Sequence, residues 1–472
     1  MTPQIGSALL YFVILISIGF VAKKRMQTAK DFLIGGRSLN FWLTAFAAHA
    51  SDASSWLFLG LPAMIFTQGL FSSWMAIGLV VFMFLNWHLI APRVRLATEK
   101  YNSMTFSSFF ESRFADTSGI IRIVTALMLF VFYTIYISAG VVGMGILLQS
   151  ILGINYQLST LIGLCLIIPY LLAGGYLTLA WTDLFQALFL LIAIVSVPLI
   201  AFKGWSPIED ALTRQHLSSS FFPDFSGHTL LTIFFALTSW GLGYFGQPHI
   251  VTKFMGIADP KQTYKAKYVG MTWQILTFAG AVLIGLEGVA YFQHLKDPET
   301  VFINIADLLL HPFVAGLMLC GVLAASISTI NSQILVLASS LSEDFYKRIW
   351  RKNASSKEVL WASRVFIVFA ASLAYLIAAF RINTIYELVF FAWAGLGASF
   401  GPIMIASLFA KKINKYGAFA AILTGGLTAG FWPLTTSSIP TLLIGFVLSF
   451  IAMWCVSKLT WRWHKHEVVH FD

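Results

Sequence analysis

The sequence has little charge for its length. Asp, Glu, Lys and Arg make up 11% of the 472 residues, and 58% of the residues are hydrophobic, whereas a typical soluble domain is about 25% charged. So few charged residues cannot cover the surface of a soluble protein of this size. Apolar runs recur from end to end, and a helix needs about 20 residues to cross the hydrocarbon core of a bilayer. The sequence therefore predicts an all-α, polytopic membrane protein with a single transmembrane domain over residues 1–472.

Other features that are scarce or missing narrow the class of protein. The three cysteines, Cys165, Cys320 and Cys455, lie singly in apolar segments without metal-ligand spacing. The chain has no Walker A phosphate loop, which argues against an ATP-driven pump, and no potassium-type selectivity filter. No catalytic constellation is present, so we do not expect an enzyme. Basic residues stand in short clusters between apolar runs, which favours a lipid bilayer over nucleic acid or nucleotide as the partner.

Thirteen apolar segments are long enough to span a membrane. They cover approximately 4–22, 40–67, 71–91, 121–151, 156–173, 180–202, 229–252, 268–292, 311–341, 358–380, 386–410, 416–433 and 439–458. With this count, 26 of the 30 Lys and Arg residues, including Lys253, fall in loops on one side of the membrane. We call this side the basic face. Positive charge concentrates in cytoplasmic loops. The pattern thus predicts an N-terminus outside and a C-terminus in the cytoplasm.

The second span contains a charge in its middle. Asp52 is the only charged side chain between Arg37 and Arg93, and an aspartate there costs roughly 2.5–3.5 kcal/mol on insertion scales. Small polar neighbours, with Gly60 and Pro62 close behind, favour an interrupted helix. A buried acid that caps a broken helix is one interpretation. We favour the other, a cation site lined by unwound backbone.

The seventh span has a second interruption. Three glycines and Pro248 fall within the segment 240–249, which disfavours an ordinary helix. Trp240, Tyr244 and Pro248 recur at four-residue spacing, so they share roughly one face wherever the segment is helical. Ordinary aromatic packing would explain this pattern too, but next to a broken helix we favour a substrate-binding wall.

The ninth span offers oxygen atoms that converge. A helical carbonyl lies near the side chains three and four positions further on, so the Ala325 carbonyl lies near the hydroxyls of Ser328 and Thr329. Unwound carbonyls of Ala50 and Ala53 would add two more oxygens. Such a set suits a hard monovalent cation such as sodium, whereas the alternative is that the hydroxyls bond back to their own helix.

Segments that match a known family run through nearly the whole chain. They are 35–39, 50–56, 60–62, 134–136, 138–140, 181–183, 240–250, 271–273, 328–329, 343–344 and 392–395. In these segments the sequence resembles the sodium/solute symporter family and, over 240–250, its proline-transporting branch. The resemblance implies a leucine-transporter-type fold with discontinuous helices 2 and 7 and inverted repeats over about 38–203 and 228–411. It also implies symport of sodium and L-proline into the cell across the bacterial inner membrane by alternating access.

The same resemblance implies roles for individual residues. The sodium ligands would be Ala50, Ala53, Ala325, Ser328 and Thr329. The proline site would include Ser54, Trp56, Tyr136, Trp240, Tyr244 and Pro248. Two acids, Asp52 and Asp183, would serve sodium coupling or the sodium exit path. An ordinary acid at a helix N-terminus accounts equally well for Asp183. The role of Glu287 stays open.

Two alternatives to sodium/proline symport remain. In the first, the chain is still a symporter, but its solute is another small amino acid or solute or its coupling ion is a proton. In the second, the chain is an uncoupled channel or a solute sensor. A sensor should have an appended signalling domain, and the short tail after Lys458 argues against one.

Overall fold

The computed structural model of the chain describes residues 3–23, 35–173 and 175–461. Within these ranges the regular structure is helical, with two isolated β-bridges, so the predicted all-α class is confirmed. Five of the basic residues assigned to the basic face, Lys24, Arg25, Lys30, Arg462 and Lys465, lie outside the described residues.

The α-helices are numbered here in chain order. They are α1 Pro3–Lys23, α2 Phe41–Ser55, α3 Leu61–Gln68, α4 Trp74–Leu85, α5 Ala91–Lys100, α6 Phe106–Arg113, α7 Ile120–Leu152, α8 Tyr156–Ala173, α9 Tyr176–Ala201, α10 Trp205–Arg214, α11 Gly227–Gly241, α12 Pro248–Met255, α13 Thr263–Tyr291, α14 Val301–Leu309, α15 Pro312–Ser339, α16 Ser356–Phe380, α17 Ile385–Phe409, α18 Lys415–Phe431 and α19 Thr441–Thr460. A π-helical stretch, Ser340–Trp350, continues α15.

The number of spans agrees approximately with the prediction. Among the described residues, 10 continuous helices are long and apolar enough to cross a membrane. Two further spans correspond to α1 and α8, whose apolar parts are shorter, and one corresponds to the divided segment α2–α3. Thirteen is therefore an approximate count of spans rather than a count of continuous helices. The chain is a multi-pass membrane protein.

The second span is broken at Ser54, as the polar neighbours of Asp52 predict. Ser54 has φ 34° and ψ −179° inside α2, and a π-helical turn, Trp56–Gly60, leads on to α3. A positive φ at a residue other than glycine costs of order 1–3 kcal/mol and persists only where the surroundings hold it. The break thus frees backbone groups near Asp52.

The seventh span is broken between α11 and α12. A 3-10 turn, Leu242–Gly246, follows α11, Gln247 is extended, and Pro248 occupies the first turn of α12, where its missing N–H leaves no bond unmade. A Cβ on Gly243 would lie 2.0 Å from Nε1 of Trp393. The glycine therefore also lets α17 approach the break closely. Discontinuous helices 2 and 7 are confirmed, and the inverted repeats that begin with them, about 38–203 and 228–411, stay a prediction.

The central helix is α15, which packs against α1, α2, α7 and α9. Its polar segment, Ser326, Ser328 and Thr329, is buried. Because α2 and α9 lie on it, side chains at this level of α15 meet the break in α2 on one side and Asp183 of α9 on another.

Candidate cation and substrate site

Thr329 joins the central helix to the break in α2. Its hydroxyl accepts a hydrogen bond from the Ser54 N–H at 2.9 Å and donates to the Ala50 carbonyl at 3.4 Å. The Ser54 N–H is available because the backbone leaves the helical path at that residue. Ala53 and Ala325 are also buried where α2 packs on α15. Within the predicted sodium set, the structure thus joins Thr329 to Ala50 directly, and the set as a whole stays a prediction.

Ser328 faces an acid on α9. Its hydroxyl donates to Oδ1 of Asp183 at 2.6 Å, and the ammonium of Lys253 lies 2.8 Å from Oδ2. The side chains of Lys253 and Asp183 are 2% and 1% exposed. A buried ion pair needs further hydrogen bonds to offset its desolvation, and Ser328 supplies one.

The prediction that Lys253 lies in a loop was wrong. The residue lies in the last turn of α12, and its ammonium is also 5.1 Å from the ring centroid of Tyr176. Pro248 marks the start of a helix, because proline favours the first helical turn, and that signal would have extended the seventh span past Lys253. Hydropathy ended the span early, since it counts a lysine against burial.

Asp52 is bonded on the substrate side of the break. Its Oδ2 accepts from the Tyr244 hydroxyl at 2.7 Å, and that hydroxyl in turn accepts from Nε2 of Gln274 at 2.9 Å. Oδ1 of Asp52 has no hydrogen-bond partner among the described residues. The acid bonded to the predicted sodium ligands on α15 is therefore Asp183, whereas Asp52 links α2 to Tyr244. Gln274, in α13, was missed because an isolated glutamine in an apolar span has no motif.

Aromatic side chains of the two broken helices contact one another. The rings of Trp56 and Trp240 are stacked with centroids 5.3 Å apart. Trp240 also contacts Tyr386 at 5.4 Å, and Trp393 donates from Nε1 to the Trp240 carbonyl at 2.8 Å. The Trp393 ring meets Tyr244 edge-on at 5.1 Å. Trp240 and Tyr244 thus belong to one aromatic group to which α17 also contributes, and its role as a substrate-binding wall stays a prediction.

Tyr136 and Pro248 border this aromatic group. The Tyr136 hydroxyl has no hydrogen-bond partner among the described residues, and its ring meets His249 edge-on at 5.8 Å. His249 follows Pro248 in the first turn of α12 and its N–H donates to the Tyr133 hydroxyl at 2.9 Å. The unbonded Tyr136 and Asp52 oxygens leave polar capacity for a ligand between α2, α7 and α12.

The fold and these contacts indicate a transporter, and the family can be identified by comparison. A sequence model described as the sodium:solute symporter family matches residues 32–425. The chain belongs to the sodium:solute symporter family. It is accordingly a transporter and not an enzyme, and sodium is the coupling ion that this family implies.

Bacterial members of the sodium:solute symporter family are similar along nearly the whole chain. The high-affinity proline transporter PutP of Bacillus subtilis is 40% identical over 454 residues, which cover 94% of this chain and 96% of the relative. The sodium/proline symporter of Escherichia coli is 38% identical over 440 residues, which cover 91% of this chain and 88% of the relative.

Solved structures show the fold of this symporter. A sodium-coupled sialic acid symporter has a TM-score of 0.82 and 18% identity, with coverage of 97% of this chain and 98% of that chain. MhsT, solved in complex with L-phenylalanine, has a TM-score of 0.57 and 12% identity, with coverage of 88% of this chain and 97% of that chain. The predicted leucine-transporter-type fold is therefore confirmed.

Proposed function

We propose that this symporter couples the movement of sodium into the cell to the uptake of L-proline. It would lie in the bacterial inner membrane, with its N-terminus outside and its C-terminus in the cytoplasm. The relatives named as proline transporters support the solute. The observation that carries the coupling is the contact of Thr329 with both Ala50 and Ser54, because it connects the central helix to the point where α2 breaks.

Sodium would bind where α2 packs on α15. Carbonyl oxygens of Ala50, Ala53 and Ala325 and the hydroxyls of Ser328 and Thr329 are neutral oxygen donors, which suit a hard monovalent cation. Binding would draw the broken helix onto the central helix and so fix the positions of Ser54 and Trp56. Asp183 would act on the exit path, since it already holds the Ser328 hydroxyl.

Proline would bind between the two broken helices. Free backbone N–H groups at such breaks receive carboxylates. The ring and the secondary ammonium of proline would lie against Trp240 and Tyr244, with a cation–π contribution of about 0.5–2 kcal/mol. Because Trp56 and Trp240 are in direct contact, a solute ring that inserts between them would separate the two indoles. Through the Tyr244–Asp52 hydrogen bond, solute binding at Tyr244 would affect the position of α2, which carries Ala50 and Ala53 of the predicted sodium set.

The energy of one sodium ion is sufficient for concentrative uptake. Movement of one charge through 100 mV supplies about 2.3 kcal/mol, and a tenfold sodium gradient adds about 1.4 kcal/mol. With one sodium per proline, the total supports roughly 500-fold accumulation. Reciprocal coupling requires that sodium increases the affinity for proline by the same factor by which proline increases the affinity for sodium.

Proteoliposomes test the proposal. Uptake of labelled proline should rise well above the equilibrium level when an inward sodium gradient is imposed, and it should fall when potassium replaces sodium on both sides. An excess of unlabelled proline should block the signal, while glycine and alanine serve as competitors that lack the ring. Equal uptake in sodium and potassium would contradict sodium coupling, and complete competition by the smaller amino acids would contradict proline selectivity.

A further inference from the structure

A polar cavity is lined by residues that do not belong to the candidate cation and substrate site. Its volume is about 360 Å3, and it is lined by residues between 101 and 112, by residues between 343 and 352, and by Arg122. These residues belong to the α5–α6 connection, to α6, to the start of α7, to the π-helical continuation of α15 and, for Lys352, to the turn that follows it. All of its basic lining residues are assigned to the basic face, and none of its lining residues has a role in the proposed symport.

The acids that line the cavity are already neutralised. Asp344 is fully buried and accepts from Nη1 of Arg122 at 3.0 Å, as well as from two hydroxyl groups. Glu343 pairs with Lys347, one turn further on, at 3.0 Å. Neither carboxylate is therefore available to attract a cation into the cavity.

Two basic side chains retain binding capacity. Arg348 is 42% exposed and touches Glu111 through Nε at 3.3 Å, and its two terminal nitrogens have no partner within the described part of the chain. Lys352 is exposed and has no ionic or hydrogen-bond partner among the residues that the structure describes. Even with Glu111 included, the four basic residues around the cavity outnumber the three acidic ones. This balance repels sodium and favours an anion.

A buried hydroxyl also points to a missing ligand. Ser103 lines the cavity and is 2% exposed, and its hydroxyl has no hydrogen-bond partner within the described ranges. A buried donor without an acceptor is costly, and such groups call for a ligand or an ordered water. The cavity thus presents guanidinium, ammonium and hydroxyl donors around one space.

We propose that this cavity binds the phosphate group of an anionic ligand. Phosphate oxygens are acceptors, and Arg, Lys and Ser donors are the groups that bind them. Two sources share this chemistry, the headgroup of an anionic phospholipid in the cytoplasmic leaflet and a soluble phosphate. Basic pockets between membrane helices on that side are suited to lipid headgroups. The ligand would connect Arg122 at the start of α7 to the continuation of α15, the helix that carries Ser328 and Thr329.

The test compares two phosphate probes on the intact protein. Phosphatidylglycerol is added to the protein in phosphatidylcholine nanodiscs and bound lipid is counted by native mass spectrometry, and inorganic phosphate is titrated by calorimetry at low ionic strength. The variant Arg348→Gln/Lys352→Gln removes the Arg348 guanidinium and the Lys352 ammonium, and Lys261→Gln/Lys265→Gln is the matched control on the same face. Each removed cation should weaken binding about fivefold, so we expect about 25-fold in the first variant and no change in the control.

A second variant tests the hydroxyl alone. Ser103→Ala should lower the affinity for the probe that binds roughly threefold to tenfold, which corresponds to the loss of one hydrogen bond. Circular dichroism verifies that each variant is folded. If the double variant loses phosphatidylglycerol binding, and if inorganic phosphate does not displace this lipid from wild type, the ligand is a lipid headgroup. Inorganic phosphate binding that the double variant loses identifies a soluble phosphate. Binding of neither probe, or equal binding by wild type, double variant and control, overturns the proposal.

Discussion

The buried pair of Lys253 and Asp183 predicts a large and specific loss of stability when one partner is neutralised. Lys253→Met keeps the length of the side chain and removes the ammonium, which leaves the Asp183 carboxylate with Ser328 as its remaining hydrogen-bond donor. Breaking a buried ion pair by removing one partner costs about 3–5 kcal/mol, because the other charge stays buried without compensation. We expect Lys253→Met to lower the free energy of unfolding by that amount.

The double variant separates this cost from the loss of packing. In Lys253→Met/Asp183→Asn no charge is left, and the asparagine carbonyl still accepts the Ser328 hydroxyl. Replacement of both charges is often close to neutral, so most of the loss should be recovered, with a coupling energy of about 2 kcal/mol or more between the two sites. The free energy of unfolding is measured by titration with sodium dodecyl sulfate in mixed micelles and followed by circular dichroism.

An exposed ion pair of the same chain supplies the control. Arg351 and Glu358 are 3.2 Å apart with side chains 63% and 30% exposed, and exposed pairs are worth about 0–1 kcal/mol. Arg351→Met should therefore change stability by less than about 1 kcal/mol. The cycle also needs the single variant Asp183→Asn. If Lys253→Met costs no more than the Arg351→Met control, or if the losses of Lys253→Met and Asp183→Asn simply add in the double variant, then Lys253 and Asp183 are not a buried pair in the folded protein.

Three further predictions concern the site and its supports. Thr329→Val should raise the sodium concentration needed for half-maximal proline uptake at least tenfold, because it removes the hydroxyl between Ala50 and Ser54, while Thr329→Ser should preserve it; unchanged sodium dependence in the valine variant would refute the sodium set. Trp240→Ala should weaken equilibrium binding of labelled proline about tenfold and Trp240→Phe much less, and wild-type affinity in the alanine variant would exclude the aromatic wall. Glu299 accepts hydrogen bonds from the first N–H groups of α17, and burial raises its pKa from 4.5 to about 7. Because the folded state then holds the proton more tightly than the unfolded state, the free energy of unfolding of wild type should fall by about 3 kcal/mol relative to Glu299→Gln as the pH rises from about 4.5 to about 8. Parallel curves of stability against pH for the two proteins would contradict this.

The sequence predicted the membrane spans and both helix breaks because these depend on local composition. Long apolar runs are sufficient to locate spans, and polar or glycine-rich interruptions mark discontinuous helices. The residue at the break was less accessible. A positive φ is usual for glycine, yet here it occurs at Ser54, where the hydrogen bond to Thr329 from 275 positions along the chain holds it.

The partners of Lys253, Tyr244 and Trp240 on distant helices could not be predicted. Burial of Lys253 depends on Asp183, which is 70 positions away, and no local pattern reveals that partner. The contacts of Gln274 with Tyr244 and of Trp393 with Trp240 likewise depend on how α13 and α17 pack at the break. Residue types indicate which atoms are able to bind an ion or a ring, whereas the helix packing decides which of them meet.

The stacked pair of Trp56 and Trp240 has a consequence for leakage. The two indoles are in contact, with ring centroids 5.3 Å apart, so an ion cannot pass between these two rings. Separation of the rings gives up an aromatic contact worth about 0.5–1.5 kcal/mol beyond the buried area. A solute with an apolar ring restores that contact and a bare zwitterion does not. One aromatic pair would thus serve both as a seal against uncoupled ion flow and as a filter for ring-bearing solutes.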